Sequence, residues 1–412
     1  MNSSCSDAQI QTSNQSDSSE ASKNVITGKI EEMTKNDPVV PSVIDVSYAG
    51  GQVLRIVNAL SFLLKKPVTV KNVRTNKHWT KRGLSADHVH QLSMVVAMSN
   101  GRAEGNVRRS TEYTLRPCSA GTEGFSLRCE SLFVTDLQAV LPCLVFAKEK
   151  STFHWQGCPS DSHQTYFCQS VNSVLRLILA KFGVRFDMVT TSLGDDEETR
   201  RKIVTTVHPA KELTSVNMTT RDRSIKKVRA MIFHWREYYS NKRFHYATKI
   251  EEETIRILKQ EFGKDVLIHC TTKLRQRSFV DDDSSMSSLV LKVVTSDEFI
   301  LPSYVAWIPS TSSGYRLDAN TFVTTTARKC KRAFDNGVCI SGHLTDQVLV
   351  FMALAKGKST IRSDYPLPDD HWKKAISAIE KLLDVKFSVE IDARYRFVDI
   401  ACEGIGMQNK NY

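Results

Sequence analysis

Three stretches of this chain carry the same order of apolar and polar positions: a glutamine, apolar residues at helical spacing, a short basic turn, and a segment of strand character. The first is Gln52-Val-Leu-Arg-Ile-Val-Asn-Ala-Leu-Ser-Phe-Leu-Leu-Lys-Lys-Pro-Val-Thr-Val. The second is Gln138-Ala-Val-Leu-Pro-Cys-Leu-Val-Phe-Ala-Lys-Glu-Lys-Ser-Thr-Phe-His, and the third is Gln347-Val-Leu-Val-Phe-Met-Ala-Leu-Ala-Lys-Gly-Lys-Ser-Thr-Ile-Arg. A second amphipathic helix and a strand are expected after each copy, within Asp87 to Met98, Ser170 to Val189 and His371 to Ile391. The repeat therefore reads as two helices on a sheet, and three such units can share one core. The copies are 86 and then 209 residues apart, so about 123 extra residues, enough for a small domain, separate the second unit from the third.

Composition changes this picture only at the ends. With 412 residues, 41% of them apolar, the chain can bury a large core. Residues 1 to about 41 are rich in Ser, Asn, Gln, Asp and Lys and read as a disordered tail. No apolar run approaches the roughly 18 residues of a membrane span, and the start lacks a secretory pattern. The ten cysteines form no C-x-x-C pair and no grouping at zinc spacing, so they read as reduced thiols of an intracellular protein.

The net charge of +11 favours polyanionic partners, nucleic acid first. Two clusters carry much of it. In Ser224 to Arg243, Lys226, Lys227, Arg229, Arg236, Lys242 and Arg243 alternate with Phe233, Trp235, Tyr238 and Tyr239. Cations neutralise phosphates and aromatic faces stack on unpaired bases, which suits a single strand; the plainer reading is a strand and helix with aromatics in the core. The other cluster, Lys71, Arg74, Lys77, Lys81 and Arg82, precedes Gly83 and a helix start at Ser85-x-Asp87, where backbone N–H groups also favour anions. Gly50-Gly51-Gln52 sits between an apolar strand and the first repeat helix, where backbone can approach phosphate closely, though no Walker lysine follows. His371 opens the last helix, with Asp369 or Asp370 as its expected cap, and His343 opens the third repeat helix. A neutral imidazole at the start of the last helix could serve as nucleophile or general base with a nearby Asp to orient it, whereas the plainer reading of a histidine at a helix start is a solvent-exposed bystander.

Taken together, these blocks resemble the RNA 3'-terminal phosphate cyclases from about Val43 onward. The resemblance rests on Gly50-Gly-Gln-Val-Leu-Arg, Ser110-Thr-Glu-Tyr-Thr-Leu-Arg-Pro, the Gln138 to Ala147 helix, Leu344-Thr-Asp-Gln-Val-Leu-Val-Phe-Met-Ala-Leu-Ala-Lys-Gly and Cys402-Glu-Gly-Ile-Gly-Met-Gln-Asn. It implies an α/β (α+β) fold of three two-helix, four-stranded units, with a smaller α/β domain inserted before the third. The expected boundaries are 42–211 for units one and two, 212–338 for the insertion and 339–408 for unit three.

The resemblance also implies an ATP-dependent enzyme of the AMP-forming ligase class, aided by Mg2+ or Mn2+. A histidine takes AMP from ATP and passes it to an RNA 3'-phosphate, and the adjacent 2'-hydroxyl closes a 2',3'-cyclic phosphate as AMP leaves. The implied nucleophile falls on His371. Gln138, Pro142, His343, Asp346 and Gln347 fall on nucleotide-side positions, and Gln52, Arg55, Arg74 and His88 on those for phosphate and the RNA end. Nucleus is the implied location, with cytoplasm as the alternative. Departures point to a second reading, a cyclase-like RNA-binding scaffold in RNA processing. Tyr48 and Ala49 replace an acidic residue and a glycine, Asp87 stands where glutamine is usual, and of a glycine-rich signature expected on Leu193 to Lys202 only Gly194 remains.

Overall fold

The computed structural model describes residues 40–47, 49–118, 124–129, 133–157, 174–192, 201–219, 224–236, 242–276, 286–296, 304–309, 319–365 and 371–412. The expected tail up to residue 39, Tyr48, the segment 193–200 and Asp369–Asp370 lie outside the described residues, as do the side chains of His343 and His371. The described elements form four four-stranded sheets with helices packed on them, an α/β mixed fold.

The first sheet is built from β1 (Ser42–Asp45), α1 (Gly51–Leu64), β2 (Val68–Lys71), α2 (Ala86–Met98), β3 (Arg102–Glu104) and β4 (Tyr113–Arg116). Its strand order is β1-β2-β4-β3, with β1 and β2 parallel and the other pairs antiparallel. The second uses β5 (Ser126–Cys129), α3 (Phe133–Val145), β6 (Ser151–Gly157), α4 (Arg176–Lys181), β7 (Arg185–Ser192) and β8 (Arg201–His208), with order β5-β6-β8-β7 and the same directions. After the short β9 (Asn217–Met218) comes a separate sheet, made from β10 (Ile225–Arg236), α5 (Lys242–Phe262), β11 (Leu267–Gln276), β12 (Met286–Thr295), β13 (Tyr304–Pro309) and α6 (Ala319–Asp335) in the order β11-β10-β12-β13. The chain then gives α7 (Gly342–Leu354), β14 (Lys356–Asp364), α8 (His371–Leu382), β15 (Phe387–Asp392) and β16 (Phe397–Ile405). These strands take β9 as a parallel neighbour of β14 and run β9-β14-β16-β15. One strand of this sheet thus precedes residues 225–338 in the chain and the rest follow it.

Hydrophobic burial explains where the helices go. α1 buries Val53, Leu54, Ile56, Val57, Ala59, Leu60 and Phe62, so it is apolar nearly all round and must sit inside. It packs against α2, α3, α7 and α8, bringing helices of the first sheet, the second sheet and the β14 sheet onto one central rod. Fully burying side chains such as Leu60, Leu92, Leu141 and Phe186 stabilises by roughly 1.5–3 kcal/mol each. A second apolar cluster, with Val228, Ile232, Leu258, Leu291 and Ala327, lies between the β10 sheet and α5 and α6.

Polar detail closes the larger core. Tyr113 Oη donates to Asn58 Oδ1 at 2.8 Å, satisfying two polar groups inside it. Near the end of the chain a Cβ on Gly404 would stand 2.2 Å from the Ala355 carbonyl oxygen, so only glycine lets β16 approach α7 this closely. Asn409 Nδ2 then donates to the carbonyls of Ala147 and Ala210 at 2.8 and 3.1 Å, joining the C-terminal segment to the second unit.

Candidate active site

Helix starts gather on one side of α1. β1 runs through Ala49 and Gly50 into α1, and Gly50 is an N-cap with ordinary extended backbone, φ −87°. Gly51 is required by its neighbours rather than by its backbone. A Cβ there would lie 2.4 Å from His88 Nε2 and 3.4 Å from an Arg55 guanidinium nitrogen.

His88 comes from the first turn of α2, which opens with a reciprocal cap. Ser85 Oγ accepts from the His88 backbone N–H at 3.4 Å, and the Ser85 backbone N–H donates to His88 Nδ1 at 3.2 Å. Because Nδ1 is the acceptor, the ring proton of the neutral imidazole belongs on Nε2, the atom that sits over Gly51. Burial, then Arg55, then Arg74 push the His88 pKa down to about 4, so at neutral pH it is an uncharged donor.

Arg55 is held from its own helix. Its Nε and Nη2 donate to Gln52 Oε1 at 3.0 and 2.6 Å, which fixes the guanidinium plane. It sits deep among protein atoms while part of its surface stays open, and burial lowers its pKa to about 10 against the opposing pull of Asp346, Asp136 and Asp87. An arginine at that value is still charged at neutral pH. Asp346, in the second turn of α7, has its carboxyl raised to about 6 by burial, with Arg55 pulling the other way. Asp136, in the first turn of α3, is 0% exposed; its Oδ1 accepts from Gln91 Nε2 at 2.9 Å and its Oδ2 lies 3.4 Å from His90 Nε2. The three carboxylates arise from α2, α3 and α7, so three repeats balance one cation.

The basic loop after β2 supplies the other side. Asn72 anchors it by donating from Nδ2 to Asp45 Oδ2 at 2.8 Å. Arg74 stands at φ +50°, a left-handed conformation costing a residue with a Cβ roughly 1–2 kcal/mol, and Lys77 N–H donates to its carbonyl at 3.1 Å. Strain of this kind persists where the surroundings hold it, often at functional sites. Together Ala49, Gly50, Gly51 and Arg55 from the α1 start, Arg74 and Lys77 from the loop, Ser85, Asp87, His88 and Gln91 from α2, and Thr135 from α3 line a cleft of about 430 Å³. Exposed N–H groups and partial positive charge at helix starts, with two arginines, a lysine and a neutral N–H donor, give it the kind of donors that suit phosphate oxygens.

Of the residues singled out from sequence, Arg55, Arg74 and His88 line this cleft together. Gln52 is 8% exposed and acts on it through Arg55, and Asp346 is linked to it through the charge of Arg55. Gln138 is half-buried on α3, one turn after Thr135, and Pro142 is buried deeper in that helix; neither is in the cleft lining, nor is Gln347. His343 and His371 are placed only by their helices, in the first turns of α7 and α8. Sequence reasoning marked Ser85 as the start of α2 beside an anion-favouring loop but missed Gln91, Thr135 and Asp136 as parts of the site. The spacing Ser85-x-x-His88-x-x-Gln91 was the available signal, since it puts the cap, the imidazole and the amide on one face of α2.

Comparison with known proteins places the cleft in a family. A model described as "RTC: RNA 3'-terminal phosphate cyclase" matches residues 46–389. This chain belongs to the RNA 3'-terminal phosphate cyclase family. It is similar to an RNA 3'-terminal phosphate cyclase of Drosophila melanogaster, 26% identical over 372 residues, covering 89% of this chain and 97% of that protein. Another, of Pyrobaculum neutrophilum, is 24% identical over 368 residues, 88% of this chain and 98% of its own. One of Thermococcus sibiricus is 33% identical over 119 residues, 28% of this chain and 33% of its own. A solved EPSP synthase from Acinetobacter baumannii aligns over 89% of this chain and 66% of its own with 8% identity and a TM-score of 0.23, a likeness too slight to bear on the fold. Every residue of the cleft, and His343 and His371, falls inside the segment matched to the cyclase family.

For a cyclase-family chain the donor set suits phosphate better than a bare metal ion. Among the described residues no three His, Cys, Asp or Glu side chains converge as metal ligands. Magnesium is commonly held by one or two carboxylates plus substrate phosphates, so Asp87 or Asp346 could meet an ion that arrives on a triphosphate.

Proposed function

We propose that this protein converts an RNA 3'-terminal phosphate into a 2',3'-cyclic phosphate at the expense of ATP. The observation that carries the reading is the single cleft in which Arg55, Arg74, Lys77 and the neutral Nε2–H of His88 surround the starts of α1 and α2. A phosphate monoester is a poor electrophile until a better leaving group is attached, so the sequence must begin with activation. A ring nitrogen of His371 attacks the α-phosphorus of ATP, the bond to the β-phosphate oxygen breaks and pyrophosphate leaves. An oxygen of the RNA 3'-phosphate then attacks the same phosphorus, the P–N bond breaks and the RNA carries AMP. Last, the 2'-hydroxyl oxygen attacks the 3'-phosphorus, gives its proton to solvent or a base, and expels AMP.

Arg55, Arg74 and Lys77 offset the charge gathered in these steps, while Gln52 holds Arg55 in plane. His88 donates a hydrogen bond without adding a charge, and Gly51 leaves room for it. Gln138, Pro142, His343, Asp346 and Gln347 are assigned to the nucleotide side. Magnesium or manganese, bound with the triphosphate, would supply charge neutralisation there. The partner is RNA with a 3'-phosphate end, and nucleus is the proposed location; no described helix is long and apolar enough to cross a membrane.

The test is incubation of purified protein with ATP labelled at the α-phosphate, with magnesium and separately with manganese, beside His371→Ala. Acid-labile, hydroxylamine-sensitive label on the wild type that is lost in the variant is the expected result. Folded wild-type protein that takes no label with either metal would sink the enzyme reading. It would leave the second reading, an RNA-binding scaffold, favoured by Ala49 lining the cleft where the family motif has a glycine.

A further inference from the structure

The basic loop that supplies Arg74 and Lys77 to the cleft continues into cations that the cleft does not use. Residues 74–82 are closed at their base, where the Gly83 N–H donates to the Val73 carbonyl at 3.2 Å. Arg74 and Lys77 line the cleft from this loop, and Lys81 and Arg82 follow them around a single tight turn, Trp79–Lys81. A second loop, 105–110, is strapped along the same base. The Val73 N–H donates to the Thr111 carbonyl at 3.0 Å, the Leu84 N–H to Ser110 at 2.9 Å and the Arg109 N–H to Leu84 at 2.8 Å, while Asn106 Nδ2 donates to Ser93 Oγ of α2 at 2.9 Å. Gly83 allows the contact. Its φ is +75°, and a Cβ there would stand 2.2 Å from the Arg109 carbonyl oxygen and 2.7 Å from the Arg109 Cα. Arg82 and Arg108 each lie one residue from that contact, which puts their Cα atoms within about 12 Å of each other.

Lys77, Lys81, Arg82 and Arg108 are all exposed, and none of the four pairs with an acid among the described residues. The acids of the adjoining strands are engaged elsewhere, with Glu112 3.5 Å from Lys71 and Glu104 3.6 Å from Arg116. Neither 74–82 nor 105–111 contains an Asp or Glu. Hydrogen-bonded backbone keeps these cations from spreading apart, so they are ordered for a chain of negative charges before it arrives. An RNA whose 3'-phosphate lies in the cleft must carry the rest of its strand out past the rim, and Lys77 at that rim begins the row. A single strand brings one phosphate per nucleotide on a backbone flexible enough to follow two adjoining loops.

We propose that Lys81, Arg82 and Arg108 form a track beside the cleft that binds the phosphates of single-stranded RNA upstream of its 3' end. The proposal rests on the reading of the cleft as the site of the RNA 3'-phosphate, and it assigns the surface that holds the body of the strand.

The test uses the full chain without ATP and two fluorescein-labelled, unstructured RNA hexamers, one ending in a 3'-phosphate and the other in a 3'-hydroxyl. Fluorescence anisotropy from 50 to 300 mM salt gives Kd for wild type, R82Q/R108Q, R82E/R108E and K65Q/K66Q, with circular dichroism to verify folding. Lys65 and Lys66 are exposed at the far end of α1, so the last variant removes the same charge away from the cleft. The R82Q/R108Q pair is expected to weaken binding of both hexamers about tenfold at 50 mM salt and to flatten the slope of log Kd against log salt by about 1.4, two single-strand phosphate contacts. The ratio of affinities for the two ends should stay as in wild type, and R82E/R108E should weaken both hexamers further. Wild-type affinity and slope in the folded R82Q/R108Q protein would overturn the proposal. So would an equal loss in K65Q/K66Q, which would reduce the effect to net charge. Polyglutamate that displaces the hexamers as well as unlabelled RNA does would also overturn it and assign the surface to an acidic protein. Equal wild-type affinity for the two hexamers, with the loss at Arg82 and Arg108 intact, would strike the reading of the cleft and keep the track as an RNA site.

Discussion

The first sheet and the β14 sheet share strand order and directions, yet the helices that open them carry opposite charge near their starts. Aligned on Gln52, Gln138 and Gln347, the preceding residue is Gly51 in the first, Leu137 in the second and Asp346 in the third. Three places after the glutamine stand Arg55, Leu141 and Val350, and only the first of these is not core. Apolar periodicity sets the common architecture, because burying a helix on a sheet needs only the right spacing. Chemistry enters at two positions per helix start that the core does not need. The first repeat supplies a cation and a gap, and the third supplies a carboxylate that offsets the cation. The site therefore belongs to the junction of repeats, and one repeat alone would not make it.

The strongest way to break this comparison is to make the first repeat resemble the second. Arg55→Leu removes the cation that Asp346, Asp136 and Asp87 face and leaves buried carboxylate without it. The expected cost is about 3–5 kcal/mol in urea unfolding, with phosphate or ATP affinity down by at least about tenfold. Adding Asp346→Asn to that background is expected to recover part of the stability, a coupling of about 1–3 kcal/mol. Additive effects would show that the two repeats are electrostatically independent.

Gly51→Ala makes the first repeat resemble the others in bulk while keeping its charge. The new methyl would meet His88 Nε2 at 2.4 Å, so the ring or the helix start must move. Overpacking of this sort costs about 1–3 kcal/mol. Isothermal titration with inorganic phosphate is expected to show a clear loss of affinity, and His88→Ala in the same background should restore the stability but not the affinity. Unchanged affinity in Gly51→Ala would mean that His88 takes no part in holding the anion.

The repeat order, the chain positions of the helix starts and the anionic ligand class were legible in sequence because each depends on local spacing and residue type. Arg74 stood out in the basic cluster and Gln52 in the repeat, whereas Arg55 and His88 could be named in advance only through their likeness to a family motif. What sequence did not reveal is nonlocal. Gly51 looks like turn chemistry, yet its φ is ordinary and its need comes from an imidazole on another helix. Asp136 reads as a routine helix-start acid and turns out fully buried, bonded to Gln91. β9, two residues long, carries no periodic signal and is fixed only by pairing with β14. Phe233 and Trp235 could be read as core or as a binding face, and their side chains lie outside the described ones.

A smaller effect comes from the opposed titrations of the two repeats. His88 has a folded pKa of about 4, below its ordinary 6.5, so the unfolded chain binds the extra proton between those values. Its contribution is fully present above pH 6.5 and is lost as pH falls towards 4. Asp346 is raised from 3.8 to about 6, so the folded chain holds the extra proton there, and its effect is most favourable below pH 4 and declines as pH rises through 6. Between pH 4 and 6 the two oppose. His88→Gln is therefore expected to gain about 1–2 kcal/mol relative to wild type on going from pH 7.5 to 4.5, after allowing for the partial exposure of the ring. Urea midpoints across that range measure it, and parallel curves would mean that His88 is not held neutral by the fold.

The finest distinction concerns which atom of the cap controls the ring. Ser85→Ala removes the Oγ that accepts from the His88 backbone N–H but keeps the Ser85 backbone N–H that donates to Nδ1. It is expected to cost about 1 kcal/mol, as loss of a helix cap does, with phosphate affinity unchanged. Ser85→Pro suits the extended backbone at that position, φ −81°, but removes the N–H as well. Nitrogen-15 NMR of the imidazole should then show the Nε2–H form in wild type and Ser85→Ala and a mixture of tautomers in Ser85→Pro, with weaker phosphate binding in proportion. If Ser85→Pro keeps a pure Nε2–H ring, the tautomer is set from the cleft side, by Gly51 and the charges of Arg55 and Arg74, and the contrast between repeats would lie in the gap and the cation without any contribution from the cap.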